Sequence, residues 1–320
     1  MRAITMTETG GPEVLRAVDA PPPAPGPGEV LVRTHAAGVN FIEIYQRSGG
    51  YPVPLPFTPG SEASGVVEQL GEGVTSLRVG DRVTTCEATA TYAEAFVVPA
   101  DRAVVVPDAV DLDTAAALPL QGLTAHYLSH SVAHPQGGET VLVHAGAGGV
   151  GLLLTQLLAA RDVRVITTTS DDEKAALSRA AGAWRTIGYD GFRERVRELT
   201  DGDGVPVVYD GVGRATFDDS LASLAVRGTM VLFGAASGPV PPFDLQRLNA
   251  GGSLMVTRPT LGHFLRTADE RAWRYRDLFA AMAAGELEVR IGGRFPLAEA
   301  GAAQAALASR GTTGKLLLTA

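Results

Sequence analysis

The sequence predicts an α/β protein with two domains, one rich in β-strands and one built on a parallel sheet with helices on both faces. The chain has 320 residues, more than the usual length of one domain. Between residues 114 and 256, apolar strand-like runs alternate with helix-like segments, which is typical of a doubly wound parallel sheet. Roughly the first 115 residues contain short strand-like runs separated by turns instead.

The predicted elements define the domain boundaries. The first domain is expected to have strands at 31–34, 63–70, 82–86, 93–98 and 103–106. The second is expected to have strands at 164–169, 185–187, 205–210, 230–233 and 254–257, with helices between them. After Pro259 come helices at 270–284 and 297–308 and a strand at 315–319, which is expected to return to the first domain. We therefore expect residues 1–118 and 258–320 to form one domain, residues 119–257 to form the other, and ligands to bind in the cleft between them.

The most informative motif lies at residues 141–151, where an apolar strand runs into a glycine loop. Gly146, Gly148 and Gly151 have the spacing G-x-G-x-x-G, directly after an apolar strand and before a helix at 152–161. In such loops the first glycine permits a tight turn and the second lets backbone N–H groups approach a pyrophosphate. The third lets the helix lie close to the strand. The motif predicts a dinucleotide-binding domain of the Rossmann type, the alternative being a purely structural turn.

The end of the next strand indicates which dinucleotide binds. Domains that bind NAD usually place Asp or Glu there, bonded to the ribose 2′-OH. Here the strand ends Thr-Thr-Thr followed by Ser170, with no acid at its tip. Ser170 is expected to cap the next helix, with Glu173 closing a capping box, and Lys174 lies where it can meet a 2′-phosphate. NADP is therefore favoured over NAD, and the two aspartates in this turn are interpreted as complementing the helix dipole.

Composition and charge exclude several classes of function. A net charge of −8 without a clustered basic stretch argues against nucleic acid as a partner. The single cysteine, Cys86, excludes a disulfide framework and any multi-cysteine metal site. No stretch approaches the ~20 apolar residues of a membrane span, and the N-terminus lacks the apolar run of a signal peptide. We expect a cytoplasmic protein that binds no membrane.

Four histidines call for separate interpretations. His126, His130 and His134 recur every four residues, a spacing at which two imidazoles on a helix can bind a metal. No carboxylate or cysteine joins them at a suitable spacing, so an exposed helix face is favoured. His144 ends a buried strand and is expected to be a packed core histidine.

Short segments along the whole chain together resemble one known superfamily. They are 10–15 (GGPEVL), 38–43 (GVNFIE), 47–52 (RSGGYP), 60–65 (GSEASG), 79–83 (VGDRV), 122–125 (GLTA), the glycine loop, 208–213 (VYDGVG) and 256–261 (VTRPTL). In this order and spacing they resemble the medium-chain dehydrogenase/reductase superfamily, and within it the zinc-free, zeta-crystallin-like quinone oxidoreductases. The resemblance implies a GroES-like catalytic domain and a homodimer paired through the apolar edge strand at 252–257.

Departures from the zinc-dependent members of the superfamily bear on the chemistry. Those alcohol dehydrogenases have a zinc-binding cysteine where Asn40 stands and a histidine where Ser61 stands. Asn40 and Ser61 are poor ligands, so no metal is expected. Without a Lewis acid, a suitable acceptor is one that delocalises incoming charge, such as a quinone, an enone or an enal. The resemblance thus implies NADPH as the cofactor and hydride transfer to a conjugated acceptor.

The resemblance also implies which residues form the site. Asn40 and Tyr45 are expected to donate hydrogen bonds to the acceptor oxygen, Tyr45 also serving as proton source, while Tyr51 and Arg258 line the acceptor pocket. The alternatives are a half-buried Tyr45 with a satisfied hydroxyl and, for Arg258, a structural ion pair or strand-edge role, which is favoured. The expected nicotinamide and pyrophosphate contacts are Phe41, Ile42, Thr124, Gly149, Val150, Gly211, Val212, Phe233, Gly234, Ala235, Pro259, Thr260 and Leu261. Those to the 2′-phosphate are Ser170, Lys174, Tyr189 and Arg310.

Three functions remain open at this point. The favoured one is an NADPH-dependent quinone reductase, and the nearest rival is an enone or enoyl-thioester reductase that transfers the same hydride to a carbon–carbon double bond. A coenzyme A thioester favours basic residues at the pocket mouth, where the first domain offers only the scattered Arg33 and Arg47. The third is a structural or RNA-associated protein that holds NADPH, and the acidic charge balance disfavours its RNA form.

Overall fold

Two units make up the protein in a computed structural model that describes residues 1–320. The first unit combines Met1–Leu120 with Val289–Ala320, and the second is Gln121–Glu288. The first boundary therefore lies at residue 120, where 118 was expected. The second boundary differs more, because residues 258–288 belong to the second unit and not to the first. None of the helices is long and apolar enough to cross a membrane.

The secondary structure comprises fifteen strands and ten α-helices. Those up to residue 120 are β1 (Arg2–Thr5), β2 (Arg16–Asp19), β3 (Glu29–Val39), α1 (Phe41–Arg47), β4 (Ala63–Leu70), β5 (Arg82–Thr85), β6 (Ala95–Pro99), β7 (Val104–Val105) and α2 (Leu112–Ala117). Next come α3 (Pro119–Tyr127), β8 (Thr140–Val143), α4 (Gly149–Ala159), β9 (Arg164–Thr168), α5 (Asp172–Ala180), β10 (Arg185–Ile187), α6 (Phe192–Leu199), β11 (Val205–Asp210), α7 (Phe217–Ala222), β12 (Leu224–Leu232), α8 (Gln246–Ala250), β13 (Met255–Thr257) and α9 (Ala268–Ala283). The C-terminal elements are β14 (Ile291–Pro296), α10 (Ala300–Ala308) and β15 (Lys315–Thr319).

Strand β3 organises the first unit. Its seven-stranded sheet has the order β14-β15-β3-β4-β5-β7, β6 also pairs with β3, and β1 and β2 form a separate pair. β3 is longer than the expected strand at 31–34, because the small Ala36 lets α2 and β15 pack against its second half. β15 runs antiparallel to β3, with Leu316 opposite Val39. This pairing confirms that the last strand joins the first unit.

The second unit contains a six-stranded sheet, entirely parallel, with the order β10-β9-β8-β11-β12-β13. β8 therefore lies where the strand order reverses, with β9 on one side and β11 on the other. Leu142, Ile166, Val208 and Met230 from four neighbouring strands are fully buried, as expected for a sheet covered on both faces. The predicted α/β fold class is confirmed. In such a sheet, ligands bind at the carboxyl ends of the strands beside the reversal.

Residues 258–288 join the second unit because α9 packs on α3 and on the turn that follows it. Tyr275 and Leu278 of α9 are buried. The guanidinium of Arg274 donates hydrogen bonds to Nδ1 of His126 at 3.0 Å and to Oγ of Ser131 at 3.1 Å. Nothing in the local sequence of α9 reveals these distant partners.

The start of α5 differs from the prediction. The N-cap is Asp171, whose side chain accepts a hydrogen bond from the backbone N–H of Lys174, so the expected Ser170–Glu173 capping box is wrong. Ser170 instead donates to the Asp171 carboxylate at 2.8 Å. Serine and aspartate cap equally well, and here the extended backbone at residue 171 decides between them. α4 also begins earlier than expected, at Gly149, because the glycine loop itself forms its first turn.

The expected exposed helix face of three histidines is wrong for His126. α3 ends at Tyr127 and continues as a π-helix through Val132. His126 is buried and stacks on His130, with ring centroids 4.3 Å apart, because Arg274 and Asp277 of α9 both bond its ring. Burial, with a smaller contribution from His130, lowers the pKa of His126 to about 4, so its ring is neutral at neutral pH.

Candidate active site

The glycine loop joins β8 to α4 at the reversal point of the second unit's sheet. A Cβ on Gly146 would lie 2.5 Å from Cβ of Thr167, so the neighbouring strand leaves no room for a side chain there. A Cβ on Gly148 would approach only Ala145, at 3.2 Å from its carbonyl oxygen. Packing within the protein therefore explains Gly146 better than Gly148. The expected approach of a pyrophosphate to the backbone at Gly148 stays a prediction.

The first turn of α4 supplies donors for an anion. The N–H groups of Gly149, Val150 and Gly151 open the helix, where no backbone carbonyl within the helix can accept them. The positive end of the helix dipole adds to these donors. This arrangement fits the pyrophosphate of a dinucleotide.

The tip of β9 carries the residues expected to bind a 2′-phosphate. Lys174 Nζ donates to Ser170 Oγ at 2.9 Å and lies 3.4 Å from the Asp171 carboxylate. The ammonium and the hydroxyl are thus brought together, and the nearby carboxylate caps the helix. Tyr189, which follows β10, accepts a hydrogen bond through its hydroxyl from the N–H of Ala145 at 3.1 Å. Arg310 belongs to the first unit, where it follows α10 with a φ of 59°.

The loops after β11 and β12 lie at the same edge of the sheet. Gly211 and Phe233 are so close that a Cβ on Gly211 would meet the phenyl ring at 2.9 Å. Gly234 and Ala235 follow Phe233, and Val212 donates its N–H to the Asp210 carboxylate at 2.8 Å. Arg258, just past β13, donates to the carbonyl of Leu232 at 2.9 Å, which supports the strand-edge role. Pro259, Thr260 and Leu261 continue from there, and Thr124 is buried on α3.

In the first unit, Asn40 is the N-cap of α1 and is buried with its side chain turned inward. Its Nδ2 donates to Glu62 at 2.9 Å, and its Oδ1 accepts from Lys315 Nζ at 2.5 Å. Lys315 also donates to the Glu62 carboxylate, so the three side chains form one buried cluster. The role of Asn40 as a donor to substrate stays a prediction. One of the two N–H groups of its side-chain amide already donates to Glu62.

Sequence reasoning missed the charges of this cluster. Glu62 and Lys315 are fully buried, and Glu62 also accepts the N–H of Leu120 at 2.7 Å. Glu43 on α1 accepts the N–H of Asn40 at 2.8 Å. Burial raises the pKa of Glu43 to about 8, although Lys315 lowers it, and Glu62 adds to the rise. The available signal was the Asn-x-x-Glu capping box of α1, which marks a helix start but not a buried acid.

The aromatic residues of α1 and the turn after it come together. Tyr45 is half-buried, and its ring centroid lies 6.2 Å from that of Phe41 and 5.4 Å from that of Tyr51. Tyr51 is 47% exposed and Ile42 is 37% exposed, so this group presents apolar and hydroxyl-bearing surface to solvent. Planar side chains of this kind suit a planar organic acceptor. No three His, Cys, Asp or Glu side chains are arranged so that they could hold a metal ion.

Comparison with known proteins identifies the family. Residues 26–108 match the family model of the alcohol dehydrogenase GroES-like domain, and residues 149–278 match that of the zinc-binding dehydrogenases. The quinone oxidoreductase of Pseudomonas aeruginosa is 46% identical over 321 residues, which cover 99% of each chain. The chain belongs to the quinone oxidoreductase family. This confirms the resemblance to that branch of the medium-chain dehydrogenase/reductase superfamily.

Two further relatives inform the chemistry. A structure of the mycobacterial protein Rv1454c complexed with NADPH has 55% sequence identity and a TM-score of 0.98, covering 100% of both chains. The 2-haloacrylate reductase of a Burkholderia species is 39% identical to the present protein. The match covers 99% of this chain and 98% of the reductase. The relatives of this chain therefore include proteins named for quinones and a reductase named for 2-haloacrylate.

Proposed function

We propose that this protein is an NADPH-dependent quinone reductase that transfers hydride to a quinone or a similar conjugated acceptor without zinc. The observation that carries the proposal is the tip of β9, where Lys174 donates a hydrogen bond to Ser170 and the Asp171 carboxylate caps α5. The NADPH complex of the mycobacterial relative supports it. A single cysteine and a net charge of −8 support a cytoplasmic protein without a nucleic-acid partner.

Each part of the reaction has residues to perform it. Bound NADPH supplies the hydride, and the quinone takes up that hydride and a proton to become a hydroquinone. The N–H groups of the first turn of α4 would hold the pyrophosphate, and Lys174 with Ser170 would hold the 2′-phosphate. Tyr45 and Tyr51, whose ring centroids lie 5.4 Å apart, would line the acceptor site, and the Tyr45 hydroxyl would donate a hydrogen bond or proton to the acceptor oxygen.

The buried cluster of the first unit supports zinc independence. An ammonium, Lys315 Nζ, is already bonded to Glu62 and Asn40. A divalent cation bound by the same oxygens would be repelled by this positive charge, and an amide is a weak zinc ligand. The Glu62 carboxylate is therefore already paired with the protein's own Lys315 side chain.

The test is to follow the absorbance of NADPH with purified protein and a panel of quinones, enones and crotonyl-CoA, and to repeat the panel with NADH. Fast turnover of quinones with NADPH would support the proposal. A double-bond reductase is the second candidate, favoured by the 2-haloacrylate reductase relative, and turnover confined to enones or the thioester would select it. Tight NADPH binding without turnover would select a cofactor-holding role.

Replacing Lys174 by glutamine is expected to weaken NADPH binding about tenfold and to leave NADH binding unchanged. The variant loses a charge-assisted contact that only the 2′-phosphate can make. Titration of the cofactor fluorescence with each nucleotide measures the two dissociation constants. Equal losses for the two cofactors would contradict this role.

Replacing Gly148 by alanine is expected to weaken NADPH binding at least tenfold, or ~1.4 kcal/mol, with little change in Tm. The added methyl lies where the pyrophosphate approaches, while its nearest protein atom is 3.2 Å away. Gly146→Ala is the matched control, because its methyl collides with Thr167 and is expected to lower Tm as well. If Gly148→Ala binds NADPH normally, the pyrophosphate does not approach this glycine.

We also propose a homodimer formed through β13, the edge strand of the second unit's sheet. Met255 is 54% exposed and Val256 36% exposed, and an apolar uncharged edge invites strand pairing. Met255→Lys is expected to give a monomer by size-exclusion chromatography with light scattering. The control is Val105→Lys on β7, an equally exposed valine at the edge of the other sheet, which is expected to leave the mass unchanged.

A further inference from the structure

His144 lies between β8 and the glycine loop, and it is buried as expected but not merely packed. Both ring nitrogens have hydrogen-bond partners. Nδ1 lies 2.9 Å from Thr168 Oγ1, and Nε2 lies 2.9 Å from Ser220 Oγ. Thr168 ends β9 and Ser220 lies on α7, so the ring connects elements on both sides of β8.

The partners of Asp210 decide which nitrogen of His144 carries the proton. This fully buried carboxylate receives the N–H groups of Val212 and Gly213 on Oδ1 and the hydroxyls of Thr216 and Ser220 on Oδ2. A carboxylate with four donors aimed at it is an acceptor only. Ser220 therefore gives its one proton to Asp210.

The rest of the chain of hydrogen bonds follows from that proton. Because Ser220 donates to Asp210, its oxygen must accept from His144, which places the proton on Nε2. Burial lowers the pKa of His144, although Asp210 opposes this, so Nδ1 is unprotonated and accepts the hydroxyl of Thr168. The oxygen of Thr168 in turn accepts the N–H of Ala145 at 3.2 Å, and the Tyr189 hydroxyl shares this N–H at 3.1 Å. All the donors point one way, from Ala145 to Asp210.

The series of hydrogen bonds ends in two loops, one on each side of the point where the strand order reverses. Ala145 begins the glycine loop with a left-handed φ of 54°, a conformation that costs energy for a residue with a side chain. Asp210 closes the turn at 211–213, two of whose residues are expected to contact the cofactor. The titratable groups that face the ring are Asp210, with Oδ2 3.9 Å from Nε2, and Tyr189, whose ring stacks 6.1 Å away.

We infer that His144, held as the neutral Nε2–H tautomer, is a positioning residue for the dinucleotide. It fixes the glycine loop relative to the turn at 211–213, so that the two loops keep one arrangement before the cofactor arrives. The inference rests on the proposed function in one respect only, namely that NADPH is the ligand of this edge.

The first test is the wild-type protein without cofactor. Nitrogen-15 NMR of the His144 imidazole is expected to show a protonated Nε2 and a bare Nδ1 throughout the neutral pH range. A protonated Nδ1 or an imidazolium would overturn the inference, whatever the protein does with NADPH.

The second test uses Ser220→Ala, which removes the hydrogen bonds that connect His144 to Asp210. It is expected to raise the dissociation constant and the KM for NADPH about three- to tenfold, the effect of one buried hydrogen bond, with kcat within about twofold of wild type. Ser223→Ala is the matched control, since Ser223 is equally buried at the C-terminal cap of the same helix but its hydroxyl bonds only the carbonyl of Asp219. It is expected to leave NADPH binding unchanged.

A second variant breaks the same series of hydrogen bonds at another residue and controls for a folding defect in Ser220→Ala. Thr168→Val keeps the shape of the side chain and removes its hydrogen bonds to Ala145 and His144. Unchanged NADPH binding in Ser220→Ala and Thr168→Val, while wild type binds tightly, would overturn the positioning role alone. Failure of wild type to bind NADPH would instead overturn the proposed function, and the positioning role with it.

Discussion

Replacing Lys315 by methionine is expected to lower the free energy of unfolding by about 3–5 kcal/mol. The variant leaves the Glu62 carboxylate buried with only the N–H groups of Asn40 and Leu120 as partners, and with Glu43 as a second acid beside it. Removing one member of a buried pair costs more than removing both, because a charge without its counter-charge stays in a medium of low dielectric constant. Chemical denaturation of the two proteins measures the difference.

Two further variants make this prediction specific. The double variant Lys315→Met with Glu62→Gln is expected to recover much of the lost stability, since no unpaired charge remains. Arg33→Met breaks an exposed ion pair with Glu68, at 2.9 Å in the same sheet, and is expected to cost less than about 1 kcal/mol. If Lys315→Met were no more costly than Arg33→Met, Glu62 would not depend on the ammonium.

Replacing Glu43 by glutamine is expected to make the protein more stable than wild type by an amount that grows with pH. The pKa of Glu43 is raised from 4.5 to about 8, so between these values the unfolded chain releases a proton that the folded chain keeps. Wild type therefore loses stability as pH rises through this window, by about 1.4 kcal/mol per pH unit, and the loss is complete above the folded pKa. Glutamine cannot ionise and is spared this loss.

The measurement is the difference between the unfolding free energies of variant and wild type, at several pH values from about 5 to about 8. Taking the difference removes the opposite contribution of His126, whose lowered pKa of about 4 adds stability as pH rises towards 6.5. Glu94→Gln is the control. Arg2 lowers the pKa of Glu94, so its contribution changes only below pH 4.5, and its difference from wild type should be flat in this range. A flat difference for Glu43→Gln would mean that Glu43 ionises normally.

Local patterns in the sequence were enough to predict the second unit's sheet and the glycine loop. The loop is recognisable because three glycines, an apolar strand and a helix lie within a few residues of each other. The strand at 205–210 and the last strand at 315–319 were predicted to the residue for the same reason. Where two neighbours cap equally well, as Ser170 and Asp171 do, local patterns could not choose between them.

Contacts between distant segments account for what the sequence did not reveal. Glu62 and Lys315 are 253 positions apart, and only the pairing of β15 with β3 brings them together. His126 and Arg274 are 148 positions apart, so the histidine spacing suggested an exposed face that α9 in fact covers. The unexpected position of the second boundary has the same origin, because α9 is held by partners on α3.

The order of these charges along the chain also sets an order of folding during synthesis. Glu62 is translated early, whereas Lys315, whose ammonium pairs with the buried Glu62 carboxylate, lies on β15 after every other strand. Until β15 emerges from the ribosome, β3 lacks one neighbouring strand and Glu62 lacks its counter-ion. The second unit is one continuous segment ending at Glu288 and needs nothing beyond it to complete its sheet. The unit in the middle of the chain is therefore expected to fold on the ribosome before the unit that begins it.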